Sequence, residues 1–228
     1  MLTRSDNFNR AAALVDPGPP SDGGSNWVQA LEPWGITTNI NCYVSSFAAP
    51  GGPVALEYLY LGASAMDVQL TDVQFSGDSR GICPVVRLSD ANNYIYFDIQ
   101  TAGNSGIIKV VGGVETALVT FAMLPAPGDI FRLTVDVSNT LTAYQNGVVM
   151  GAATDSFNAT ARNAGMRETL FAGSLPAIVD DFSATEIVTV VVPAVEEALS
   201  YSVLLAPTDL VARLPVSNIT VTDGTGSP

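Results

Sequence analysis

The chain has 228 residues, a length that suits one all-β domain or one domain with an extension. Hydrophobic residues make up 47%, which excludes a wholly disordered chain, while charged residues are only 14%, against ~25% in an ordinary soluble protein. Nine basic residues stand against twenty-two acidic ones, for a net charge of −13, and the only lysine is Lys109. With the arginines scattered as well, this excludes the clustered cationic surface that binds nucleic acid or an anionic membrane.

The opening stretch, MLTRSDNFNR, has no apolar run, so no signal peptide is expected. DPGPPSDGGS, from Asp16 to Ser25, reads as a long loop crossing between strands. After it the alternation of apolar and polar residues that marks strands dominates. ALEYLYLG is a short strand; in AMDVQLTDVQF, Met66, Val68 and Leu70 alternate and the phase then passes to Val73 and Phe75, as at a β-bulge. NYIYFDIQ turns Ile95, Phe97 and Ile99 inward and Tyr94, Tyr96 and Asp98 outward. GIIKVV and VETALVT are joined by Gly112-Gly113. IFRLTVDV turns Phe131, Leu133, Val135 and Val137 to one side, and Arg132, Thr134 and Asp136 to the other. TLTAYQ and GVVMGAAT flank Asn146-Gly147, a pair that tolerates the positive φ angles of a type I′ hairpin. AVEEALSYSVLL is the one stretch compatible with a helical turn, around Glu196–Leu199, and no run reaches the ~20 apolar residues of a membrane helix. Cys42 and Cys83 both lie in strand-like stretches, where a buried free thiol is the expectation and a single bridge the alternative. About a dozen short strands separated by turns predict an all-β, antiparallel two-sheet sandwich or jelly roll.

The order of certain motifs adds to this. Asp6-Asn7-Phe8-Asn9-Arg10 is followed by the Gly/Pro loop, then by Trp27 and Trp34-Gly35-Ile36. Later come Leu141-Thr142-Ala143-Tyr144-Gln145-Asn146-Gly147 through Gly151, and finally Val179-Asp180-Asp181-Phe182. Over about residues 5–186 this resembles the concanavalin A-like, LamG-like jelly-roll domains of bacterial surface proteins, enzymes and bacteriophage virion proteins. The resemblance implies two antiparallel sheets packed face to face with the first and last strands side by side. Phe8 and Phe182 would then be inward aromatics on neighbouring strands. Such folds host sugar binding, hydrolysis and assembly, so the fold alone does not choose a function.

Catalytic machinery is scarce. The chain has no histidine, which removes Ser-His-Asp and Cys-His catalysis and most zinc sites, and it has no C-x-x-C. Glycoside hydrolases on this fold carry carboxylates alternating along one strand. Here no two acidic residues are two or four apart, so no enzyme activity and no cofactor are expected. Some domains of the resembled kind hold a structural calcium near the paired terminal strands, to which Asp6, Asp180 or Asp181 could contribute oxygens; the preferred reading is that one Asp accepts turn hydrogen bonds and the other is solvated, so no metal is expected. For sugar binding, Tyr58 and Tyr60 share a face of one strand and Tyr94 and Tyr96 of another; as neighbours they would form an aromatic stripe. A subunit interface would use the same rings.

The jelly roll is expected to close by residue 186, leaving 187–228 as a C-terminal arm rich in Val, Leu and Ile and broken by Pro193, Pro207 and Pro215. Left in water such a segment aggregates, so it predicts an interface centred on Val190, Val191, Val192, Tyr201, Val203, Leu205, Ile219 and Val221. Taken with the resemblance, this leads to the expectation of a non-enzymatic bacteriophage structural protein on the capsid surface: a capsid decoration (cement) protein, homo-oligomeric, for example a trimer, docked on the major capsid protein or another virion protein. The alternative is a carbohydrate-binding module or adhesin, in a tail or head fibre or on a bacterial surface, with a glycan as partner.

Overall fold

A computed structural model describes residues 2–11, 18–32, 34–36, 42–44, 54–76, 79–101, 103–169 and 175–188. Contacts divide the chain into Met1–Val190 and Val191–Pro228. The eight predicted arm residues lie outside the described residues, as does the helical turn expected near Glu196.

The strands are β1 (Thr3–Asp6), β2 (Val28–Leu31), β3 (Trp34–Ile36), β4 (Cys42–Val44), β5 (Val54–Tyr60), β6 (Met66–Gln74), β7 (Cys83–Asp90) and β8 (Asn93–Asp98). They continue with β9 (Ser105–Val111), β10 (Val114–Phe121), β11 (Ile130–Val135), β12 (Thr140–Gln145), β13 (Val148–Thr154), β14 (Asn163–Thr169) and β15 (Ile178–Glu186). Among the described residues there is no helix. One sheet has eight strands, ordered β13-β12-β11-β6-β15-β4-β3, with β1 also paired to β15. The other has seven, ordered β10-β9-β8-β7-β14-β5-β2. All pairings are antiparallel, so the chain is a two-sheet jelly-roll sandwich.

The inner faces meet in a continuous apolar core. Phe97 on β8 packs on Phe131 of β11 (centroids 6.0 Å apart) and on Phe121 of β10 (5.7 Å). The two glycine hairpins form as their sequences require: Gly112 and Gly113 have φ of 57° and 80°, and Asn146 and Gly147 have 51° and 79°. Cys42 and Cys83 are buried free thiols.

The D-x-F-N-R motif acts as a knot at the start of the sandwich. β1 pairs with β15, Asp6 opposite Phe182, so first and last strands lie side by side. The buried Asp6 carboxylate accepts from the Phe8 amide (2.9 Å), the Trp27 indole (2.8 Å) and both terminal nitrogens of Arg10. Phe8 and Phe182 are both buried, with Trp27 against each, stacked on the first at 6.1 Å and edge-on to the second at 4.8 Å.

Two expected facings differ. On β6 Met66, Val68, Leu70 and Asp72 are all buried and Val73 is exposed, so the inward row does not pass to Val73; the expected bulge is there, since Ile178 and Val179 of β15 pair with Gln74 and Asp72 and leave Val73 as the extra residue. An aspartate takes the inward slot because its Oδ1 accepts the Ile82 amide at 3.1 Å. A second irregularity lies in the partner strand β15, between Asp180 and Ser183. Val137 is exposed because β11 ends at Val135, and Asp136 Oδ1 then caps a turn by accepting the amides of Ser138 and Thr140.

Candidate functional site

The four tyrosines proposed as an aromatic stripe all lie on the seven-stranded sheet, but β7 and β14 separate β5 from β8. Tyr94 and Tyr96 do point away from the inner core, their rings 6.0 Å apart, yet they are only 2% and 1% exposed. Arg167 of β14 explains their placement. Its guanidinium lies 4.0 Å from the Tyr96 ring centre, and its Nε donates to the Tyr94 hydroxyl at 3.0 Å. Its Nη2 pairs with Glu115 on β10 at 2.5 Å. Burial pushes both phenols above their ordinary range, so they stay neutral. Asp98 is raised by burial too, and its carboxylate meets Gln100 Nε2 at 2.5 Å and Arg80 at 3.6 Å. Tyr94 and Tyr96 are thus buried within a polar network rather than exposed as an aromatic stripe. Tyr60, 53% exposed, and the half-buried Tyr58 stand apart on β5.

The outer face of the eight-stranded sheet is different. Cross-strand register lines up Val149, Tyr144, Arg132, Gln69, Ser183 and Ser5 across β13, β12, β11, β6, β15 and β1. Six strands at ~4.8 Å make this row about 24 Å long. Arg132 holds Asp67 through two bonds of 2.6 and 2.7 Å, and its guanidinium lies 4.8 Å from the Tyr144 ring centre. At the β1 end the row opens into a cup of about 330 Å³. Ser5, Asn7, Ser21, Gln69, Asp181 and Ser183 give it hydroxyl, amide and carboxylate groups, and Asp6 and Phe182 complete the lining. Asp181 is the extra residue of the β15 bulge, held at φ 50° with its amide on Asp180 Oδ1 at 2.9 Å. Bulges re-aim side chains in this way, and positive φ at a non-glycine residue gathers at functional sites. The loop 18–24 forms one wall: Ser21 Oγ accepts from the Asn7 amide at 3.1 Å, and Asp22 Oδ2 from the Ser5 amide at 3.1 Å.

Of the aspartates considered for calcium, Asp6 is spent on Arg10, Trp27 and Phe8. Among the described residues no group of three or more Cys, Asp or Glu is placed to hold a metal ion.

Structural comparison ties this geometry to known folds. The chain matches a carbohydrate-binding module from Bacillus subtilis with a TM-score of 0.54 at 10% identity, over 70% of this chain and 95% of that one. It matches the Emp47p carbohydrate recognition domain with a TM-score of 0.52 at 12% identity, over 82% and 96%. A Bacillus subtilis protein of unknown function with a galectin-like fold matches at 0.51 and 13% identity, over 78% and 96%. The chain shares their jelly-roll fold. No protein-family model matches the sequence, and neither does any curated protein.

Sequence reasoning missed Tyr144, Gln69 and Asp181 as surface partners. Arg132 is half-exposed on the outer face, as its alternation predicts, while Thr134 is buried. Extending the same alternation to Gln69 and Tyr144 finds the row, but its alignment depends on non-local register.

Proposed function

We propose that this chain is a non-catalytic carbohydrate-binding module whose ligand lies on the outer face of the eight-stranded sheet. The observation that carries the reading is the row from Tyr144 to the cup. A ring, a fixed Arg–Asp pair, amides and hydroxyls stand there on rigid strands, the mixture that recognises a hydroxyl-rich, partly apolar sugar. Two of the matched structures are, by their own descriptions, a carbohydrate-binding module and a carbohydrate recognition domain, which supports the reading without identifying the sugar. The decoration-protein reading expected from the sequence rests on segment 187–228, of which 189–228 lie outside the described residues. A glycan array with the full chain tests the choice. Binding to a defined glycan class, abolished by Gln69→Ala with Tyr144→Ala, is the expected result. No glycan binding, together with specific attachment to capsids, would overturn it.

A further inference from the structure

The cup has a charge pattern that bears on which sugars fit it. Two carboxylates line it. Asp6 is neutralised by Arg10. Asp181 has no cation within ion-pair distance among the described residues. Its backbone is set by the bulge and by the Asp180 bond, and its exposed carboxylate lines the cup. The cation nearest along the row, Arg132, has both of its donor edges on Asp67 and one face on Tyr144. The bound sugar therefore meets the Asp181 carboxylate, hydroxyls and amides, on a chain whose net charge is −13.

We infer that Asp181 is the specificity-determining residue of this site, and that the site takes neutral sugars and rejects carboxylated ones. This rests on the carbohydrate-binding reading above. Asp181 acts in both directions. As a charged acceptor it accepts hydrogen bonds from the hydroxyls of a neutral sugar. Against a uronate it places like charges together, which is how discrimination is built by repulsion. The repulsion is electrostatic and partly solvent-exposed, so salt weakens it.

The test uses the full chain and Asp181→Asn. Asparagine tolerates the same positive φ and keeps one acceptor oxygen, so the bulge survives. Calorimetric titration is run with β-glucan, galactan and mannan, and with glucuronan, polygalacturonate and alginate as their uronate counterparts. The wild-type chain should bind at least one neutral polymer and leave its uronate counterpart unbound at low salt. Asp181→Asn should lose roughly tenfold to a hundredfold in affinity for the neutral polymer, the range expected for a hydrogen bond to a charged group. It should also bind the uronate measurably, and the preference of the wild type should narrow as salt is raised. Equal binding of both members of a pair by the wild type overturns the inference and leaves the function standing. So does a preference that Asp181→Asn leaves unchanged. If no polymer binds, the carbohydrate reading itself falls, and the inference with it.

Discussion

Replacing Asp6 by alanine would show whether the opening motif holds the sandwich closed. The carboxylate is buried and receives the Phe8 amide, the Trp27 indole N–H and the Arg10 guanidinium. Alanine removes every acceptor at once. Arg10 is 24% exposed and can turn to water, so its loss adds little. The Phe8 amide and the Trp27 indole cannot do so, because both residues are buried. Each stranded donor costs ~1–3 kcal/mol, giving about 4 kcal/mol for the pair. For a body of this size ~2–4 °C accompanies each kcal/mol, so Tm should fall by about 8–16 °C. Urea unfolding followed by fluorescence of Trp27 and Trp34 measures the loss directly. Asp6→Asn, which keeps one carbonyl acceptor, should lose less. A loss under about 1 kcal/mol for Asp6→Ala would refute the reasoning, because it would mean that neither donor depends on the carboxylate.

Other consequences are open to measurement. Burial pushes the Asp72 carboxyl well above the usual carboxylate range; the Ile82 amide opposes this, and Glu168 and Asp129 add to it. A folded value above the unfolded one means that its contribution to stability is full below pH ~4 and is lost as pH rises through the raised value. Denaturation midpoints should therefore fall on the alkaline side of that range, and Asp72→Asn should flatten the profile. Arg87, 2% exposed, donates to the carbonyls of Ser64 and Asp155 and to Asn139 Oδ1, fastening separate loops. Arg87→Met should cost ~3 kcal/mol or more by chemical denaturation, because the loss strands several buried acceptors at once. Cys42 and Cys83 are buried, and burial raises both thiols, so neither should react with a disulfide reagent until the chain unfolds, when two thiols should appear. At Gly165 an added Cβ would lie 2.1 Å from the Glu57 carbonyl oxygen, so Gly165→Ala should strain the β14–β5 pairing and lower Tm.

Much of the fold was legible in the sequence because strands and hairpins are written locally. Asn146-Gly147 and Gly112-Gly113 state their turns in two residues, and Ile95, Phe97, Phe131 and Leu133 state their facing by alternation. The inward turn of Asp72 was not legible, since polarity alone assigns aspartate to solvent and only the Ile82 amide reverses that. Tyr94 and Tyr96 share a face, as their spacing says, but spacing cannot reveal Arg167 lying across them from another strand. The cup was hidden for the same reason. It is made where β1, β6 and β15 meet, from segments far apart in sequence, and Asp181 joins it through a bulge that the Val179–Phe182 stretch does not announce.

The central claim is that a glycan occupies the row and cup on the eight-stranded sheet. The most direct measurement is hydrogen–deuterium exchange of the full chain with and without the glycan that gives the strongest binding. Slower exchange at Ser5–Asn7, Gln69, Tyr144 and Asp181–Ser183, with the β8 and β14 amides unchanged, is the predicted result. Slowing confined to β8 and β14 would place the ligand over Arg167 and contradict the account.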